Sequence, residues 1–444
     1  MITLFSRKRA SSLALAISLA TGGAVVATAV LPAEANAQRA RQRDREQPAA
    51  QPSEGGGYSP AFVAAYTPLK ALVDDASTDL NPSRTQFSAL ATLLNTQDEK
   101  MAGGALVYNA GTRMSDRTLQ RQGIEAMLAS GKVPPEAIGQ YNFIAYQLAN
   151  QDADYAKART YLQAAIDANF TTATIDASAL QIGMAEAYFA GNEVTAGLNY
   201  LQQAIANRKS QGLKVDEQWY RRGLNFSYQN KIVPDVYDFA TMWVGDYPSA
   251  TNWRDAINIT RNLNTFNNQE MLDLLRLGRR LDALTEASDY DYYVEAADAR
   301  RLPREVKDVI EEGLASGVIS SSNLYTTEQL EVANARIAAD RADLPALERD
   351  ANAASAQLRT VVAAASAFLS YGDYAKAAGF YQRALDMPGV ERDEALTRLG
   401  IAQTGLGNYP AARQSFAQVG GNRRTIANLW IAYVDQLTGV ETAM

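Results

Sequence analysis

Beyond residue 57, apolar residues recur every three or four positions. In the stretch with Leu396, Leu399 and Ala402, and again from Ala412 to Phe416, they fall on one side of a helix and do not alternate as in a strand. This spacing predicts helices over 82–95, 98–112 and 115–130, a pair within 141–170, and a second pair within 177–209. A third pair runs from Trp219 to Phe239, and a further helix over 304–316 follows Pro303. Two stretches, IEAMLASG and IEEGLASG, end at Gly131 and Gly317, each reading as a helix with its stop. An Ala-, Glu- and Arg-rich segment over 326–352 reads as a long helix interrupted at Pro345. No segment alternates as a strand would.

The most regular pattern lies near the C-terminus. Residues 399–416 read LGIAQTGLGNYPAARQSF, with Leu399 and Gly400 on a first helix, Gly407 and Asn408 at a turn, and Ala412 and Phe416 on a second. Small residues at Gly400 and Ala412 let two backbones approach, while larger neighbours fill the groove beside them. The arrangement recurs 35 residues earlier, counted from Gly372 to Gly407, with Ala364, Ala365 and Phe368 before the turn and Ala377, Tyr381 and Ala384 after it. Trp430 and Tyr433 then mark a closing helix over 427–437. These slots resemble the tetratricopeptide repeat, although Leu396 stands where that family has Trp, Gln403 where it has Tyr, and no Pro ends the unit. Tyr155, Ala158, Leu162 and Ala165 carry a weaker copy, and Tyr188, Gly197, Leu201 and Ala204 another. Trp219, Gly223 and Phe226 open a degenerate copy in which Arg222 and Asp235 replace the usual Leu and Ala.

The resemblance implies an all-α fold, a right-handed superhelical solenoid of antiparallel helix pairs with irregular repeats. The expected organisation is a leader over 1–37, a linker over 38–57, repeat-like helices over 58–254, a degenerate helical segment over 255–357, and the regular repeats with their cap over 358–444.

Composition narrows the chemistry. Among 444 residues there is neither His nor Cys, which removes Ser-His-Asp and Cys-His nucleophiles, imidazole or thiolate metal sites, and disulfides. No cofactor is expected, and the chain is read as a binding protein and not as an enzyme. The alternative is a helical envelope enzyme acting on glycan through carboxylates. Arg7, Lys8 and Arg9 precede an apolar run over 13–31, and Ala35-Asn36-Ala37 fits a cleavage site, so the chain reads as exported, periplasmic or secreted, with Gln38 first after cleavage. An uncleaved anchor is the rival reading; after cleavage no membrane span is expected. The Arg-Lys-Arg order lacks the adjacent arginines of a twin-arginine leader. Loss of those three cations and Glu34 shifts the net charge from −7 by −2 to −9, which argues against nucleic acid as partner. The linker, QRARQRDREQPAAQPSEGGG, reads as a solvated spacer.

Site motifs fail on named residues. Ala126 breaks a phosphate-loop reading that would end at Gly131 and Lys132, and Tyr155 and Tyr161 break a calcium-loop reading from Asn150, Asp152 and Asp154. The run Asp289-Tyr290-Asp291-Tyr292-Tyr293 reads as mainly core rings, and adjacent Glu311 and Glu312 as a solvated face. In the resembled family, the first helix of a repeat faces a concave groove. The corresponding positions are Gln140, Phe143, Gln147 and Asn150 in one repeat and Glu217, Tyr220, Leu224 and Ser227 in another. The implied partner is a protein or peptide of the cell envelope, held through amides and rings. The sequence leaves the oligomeric state open.

Overall fold

The computed structural model describes residues 57–439; the expected leader and all but the last residue of the linker lie outside the described residues. Among the described residues every regular element is helical. None of these helices is long and apolar enough to cross a membrane. Packing divides the chain into two units, residues up to Gly191 and residues from Asn192.

The first unit holds α1 (Pro60–Asp74), α2 (Arg84–Ala91), α3 (Gln97–Arg113), α4 (Arg117–Ala129), α5 (Pro135–Gln151), α6 (Tyr155–Asp167) and α7 (Ala177–Ala190). The second holds α8 (Val194–Ser210), α9 (Glu217–Gln229), α10 (Val233–Asp246), α11 (Ala250–Leu263), α12 (Asn268–Arg280), α13 (Ala287–Ala297) and α14 (Pro303–Ala315). It continues through α15 (Leu324–Asn352), α16 (Leu358–Ser370), α17 (Tyr374–Leu385), α18 (Arg392–Gly405), α19 (Tyr409–Ala417) and α20 (Arg424–Thr438). Within each unit, consecutive helices pack side by side through short turns, which makes the fold all-α and solenoid-like.

One turn geometry recurs in both units. Ser115, Ala153, Lys231, Gly372 and Gly407 all adopt left-handed backbone, with φ between 53° and 74°. In each case the next residue's N–H donates to the carbonyl five positions back: Asp116 to Gly111 at 2.7 Å, and Asp154 to Ala149, Ile232 to Ser227, Asp373 to Phe368 and Asn408 to Gln403 at 2.9 Å. This bond satisfies a helix-end carbonyl. The side chains of Asp116, Asp154, Asp373 and Asn408 then accept from the first turn of the following helix. A single residue thus closes one helix and opens the next.

Small residues set the helix spacing. A Cβ on Gly400 would lie 2.6 Å from the Phe416 ring, and one on Gly223 would lie 2.3 Å from the Phe239 ring, so the same sixteen-residue relation brings α18 onto α19 and α9 onto α10. Ser227 and Thr404, each four residues beyond its glycine, donate to that glycine's carbonyl at 2.8 Å. In the first unit the backbones of α3 and α4 nearly touch: a Cβ on Gly123 would meet Tyr108 N at 2.5 Å, and one on Gly104 would meet Gly123 O at 2.8 Å. Phe62, Tyr66, Phe87, Leu90, Val107 and Leu119 fill the adjoining core.

Three features depart from or refine the sequence-based expectation. Helix α15 runs unbroken through Pro345, whose exposed position leaves the carbonyl that loses its amide partner facing water. The 255–357 stretch, which lacks the repeat slots, supplies the centre of the second unit, where Leu272, Tyr293, Val306, Val309, Ile310 and Ala333 share one core. Helix α20 covers the end of the regular repeats and also packs on α10 and α12, with Trp430 and Ile426 fully buried.

Candidate functional site

The eight groove positions fall into two different environments. On α5, Gln140 and Asn150 are exposed and Gln147 is half-buried, while Phe143 is buried and stacks on Phe170 at 5.1 Å between ring centres. The three amides therefore form a polar edge over an aromatic floor. On α9 three of the four positions are buried. Tyr220 is fully buried and donates to Asp246, which also pairs with Lys209 at 2.7 Å. Burial, and then the bond to Asp246, push the Tyr220 phenol well above its ordinary range, so it stays a donor. Leu224 is buried, and Ser227 bonds back to Gly223. Glu217 accepts from Trp243 Nε1 at 2.9 Å. As groove residues, Phe143, Tyr220, Leu224 and Ser227 are corrected to interior positions, because the chain itself covers them.

The same holds for the regular repeats. Counted from Gly400 as those four are from Gly223, the matching positions on α18 are Glu394, Thr397, Ile401 and Thr404, and the last three are buried. Helix α18 is covered on nearly every side, and what covers its inward face is α12. Asp273, fully buried, accepts from Arg276 at 2.9 Å, from Arg398 at 3.2 Å and from Arg423. Arg276 also grips Glu305 with two bonds, at 2.7 and 2.8 Å, and Tyr293 donates to the same carboxylate at 2.8 Å. Arg398 and Arg423 share Glu394. Three carboxylates thus face three guanidinium groups, which is the condition for burying such charges without a large penalty. Burial alone would raise the carboxyls of Asp273 and Glu305, but the arginines around them hold both below the usual range.

Further hydrogen bonds extend the cluster across the unit. Arg398 donates to Gln269 at 2.7 Å, Asn422 to Glu270 at 3.2 Å, and Trp430 Nε1 to the Asp273 carbonyl at 3.0 Å. Gln436 on α20 reaches the Val244 carbonyl on α10 at 2.7 Å. Apart from Trp430, which marked the closing helix, none of these residues stood out in the sequence, since their partners lie more than a hundred positions away.

The other motifs resolve simply. Tyr290 and Tyr293 are interior, while Tyr292 is exposed under the Arg261 guanidinium at 5.0 Å. Glu311 pairs with Lys307, and Glu312 with Arg279. Gly131 and Gly317 are left-handed stops, with φ of 65° and 73°. No family model and no curated protein sequence matches the chain.

Proposed function

We propose that this chain is an exported helical-repeat module of the tetratricopeptide type that holds a protein or peptide partner against the α5 face of its first unit. The reading is supported by the recurrent slots and turns of the helix pairs and by the observation that carries it: three of the four α5 positions, Gln140, Gln147 and Asn150, reach solvent, against Glu217 alone on α9. Gln140, Gln147 and Asn150 each offer a donor and an acceptor to an extended backbone, and the buried Phe143–Phe170 stack gives them a rigid base.

Photocrosslinking residues placed at 140 and 150 in the full chain test this, with one at the exposed Leu406 in the second unit as reference. The expected result in cell-envelope material is a discrete adduct from 140 and 150 and none from 406. Adducts from 406 alone, or no adduct at all, would reject the α5 face. Export is tested separately by intact mass, which is expected to begin at Gln38.

A further inference from the structure

We infer that the polar cavity between α17, α18 and α19 is a binding subsite for one residue of a neutral glycan; this goes beyond the partner-binding reading and does not depend on it. The cavity arises from a paired substitution in register. On α16 and α17, Phe368 and Phe380 lie three and fifteen residues beyond Ala365 and stack at 5.8 Å between ring centres. At the same distances from Gly400 stand Gln403 and Ser415, and the Ser415 hydroxyl donates to Gln403 Oε1 at 2.7 Å. Two rings give way to a small hydrogen-bonded pair, and a cavity of about 290 Å3 opens beside it.

The lining suits a hydroxyl-rich neutral ring. Gln382, Gln403 and Gln414 are among its lining residues, and a side-chain amide can both donate and accept. Gln418 is already held by Arg392 at 3.1 Å and so marks one wall. Asp386 adds an acceptor and Arg392 a donor, and their charges balance, so neither an anion nor a cation is selected. Leu396 and Leu399 are buried behind the walls, so the cavity presents almost entirely polar groups, which suits a hydroxyl-rich ligand. A peptide strand needs its backbone met at a repeat of about 3.3 Å along a cleft. A compact cavity meets one unit, which favours a sugar ring. Asp386 is the single carboxylate among its walls, so the site binds without a paired acid and base for hydrolysis.

The test is saturation-transfer NMR on the full chain with maltotetraose, cellotetraose and chitotetraose. At least one is expected to receive transfer from the wild type. The Gln403→Phe/Ser415→Phe variant, which rebuilds the ring pair of the preceding repeat, is expected to fold with an equal or higher Tm and to lose that transfer. Gln382→Ala and Gln414→Ala alter exposed residues, so they report even if the double variant misfolds; each is expected to weaken binding at least five-fold. The inference fails if no probe receives transfer, if transfer survives all these variants, or if a peptide library and no saccharide is lost with them. Crosslinking at 140 and 150 is expected to be unchanged throughout, which separates failure of this site from failure of the α5 face.

Discussion

At the scale of the residue, the repeated turn asks for left-handed backbone, and the chain meets that demand unevenly. Gly372 and Gly407 adopt it at no steric cost, whereas Ala153 and Lys231 adopt it with φ of 59° and 57°. Both side chains are exposed, so glycine would remove strain without removing packing. Ala153→Gly and Lys231→Gly are each expected to raise stability by about 0.5–1 kcal/mol, because relief of about 1–2 kcal/mol outweighs the added freedom of the unfolded chain. Urea midpoints should rise with unchanged slope. Glu99 makes a second residue-scale case. Its buried carboxylate accepts from Ser59 N at 2.7 Å and from Asn95 N and Thr96 N at 2.9 Å. Burial acts to raise its pKa, but the Ser59 side chain and then these backbone donors bring it down to about 2, from an ordinary value of 4.5. The folded state therefore favours the ionised form, and the stability this confers is present above about pH 4.5 and is lost as pH falls towards 2. Glu99→Gln, which turns an amide donor towards backbone donors, should cost about 1–3 kcal/mol at neutral pH and flatten that acid limb in chemical denaturation.

At the scale of the element, contact between helices is set by glycine against ring. Gly400→Ala would drive a methyl into Phe416, and the expected cost is about 1–3 kcal/mol, partly recovered by Phe416→Leu. Calorimetry on the single and double variants measures both. These contacts were legible in the sequence, because Leu399, Gly400, Ala412 and Phe416 keep fixed spacings that a short-range pattern records. The α9–α10 contact was partly legible: Gly223 and Phe239 hold their places although Arg222 and Asp235 do not fit the pattern. The close α3–α4 pairing was not, since Gly104, Gly111 and Gly123 bury backbone against backbone, a contact that apolar spacing does not record. Helix α15 misled in the opposite direction. Pro345 is a strong breaker in isolation, yet on a solvent-facing side it removes one bond and the helix continues.

At the scale of the whole molecule, what escaped the sequence is the interior of the second unit. Slot spacing places Tyr220, Leu224 and Ser227 on an open face; it cannot show that the chain fills that face itself. On α9 the Tyr220 hydroxyl is held by Asp246 and the Ser227 hydroxyl by its own helix, while on α18 the filling depends on Asp273 meeting Arg398 and Arg423, contacts between segments 125 and 150 residues apart. Such pairs leave no periodic trace. The candidate surface accordingly narrows to Gln140, Gln147 and Asn150. Asp273→Asn should destabilise the second unit by about 3–5 kcal/mol, since three guanidinium groups lose their shared carboxylate. Because Asp273 and Glu305 are held ionised in the fold, acid should act in the same direction, with stability lost as pH falls below the ordinary carboxylate range through their lowered pKa values.

Hydrogen–deuterium exchange, resolved by segment, tests this self-filled interior most directly. In the wild-type chain α12, α18 and α20 should exchange slowly and as one cooperative block, and in Asp273→Asn all three should lose protection together while α3 and α4 keep theirs. Fast exchange of α12 in the wild type, or loss of protection confined to α12 in the variant, would contradict the account.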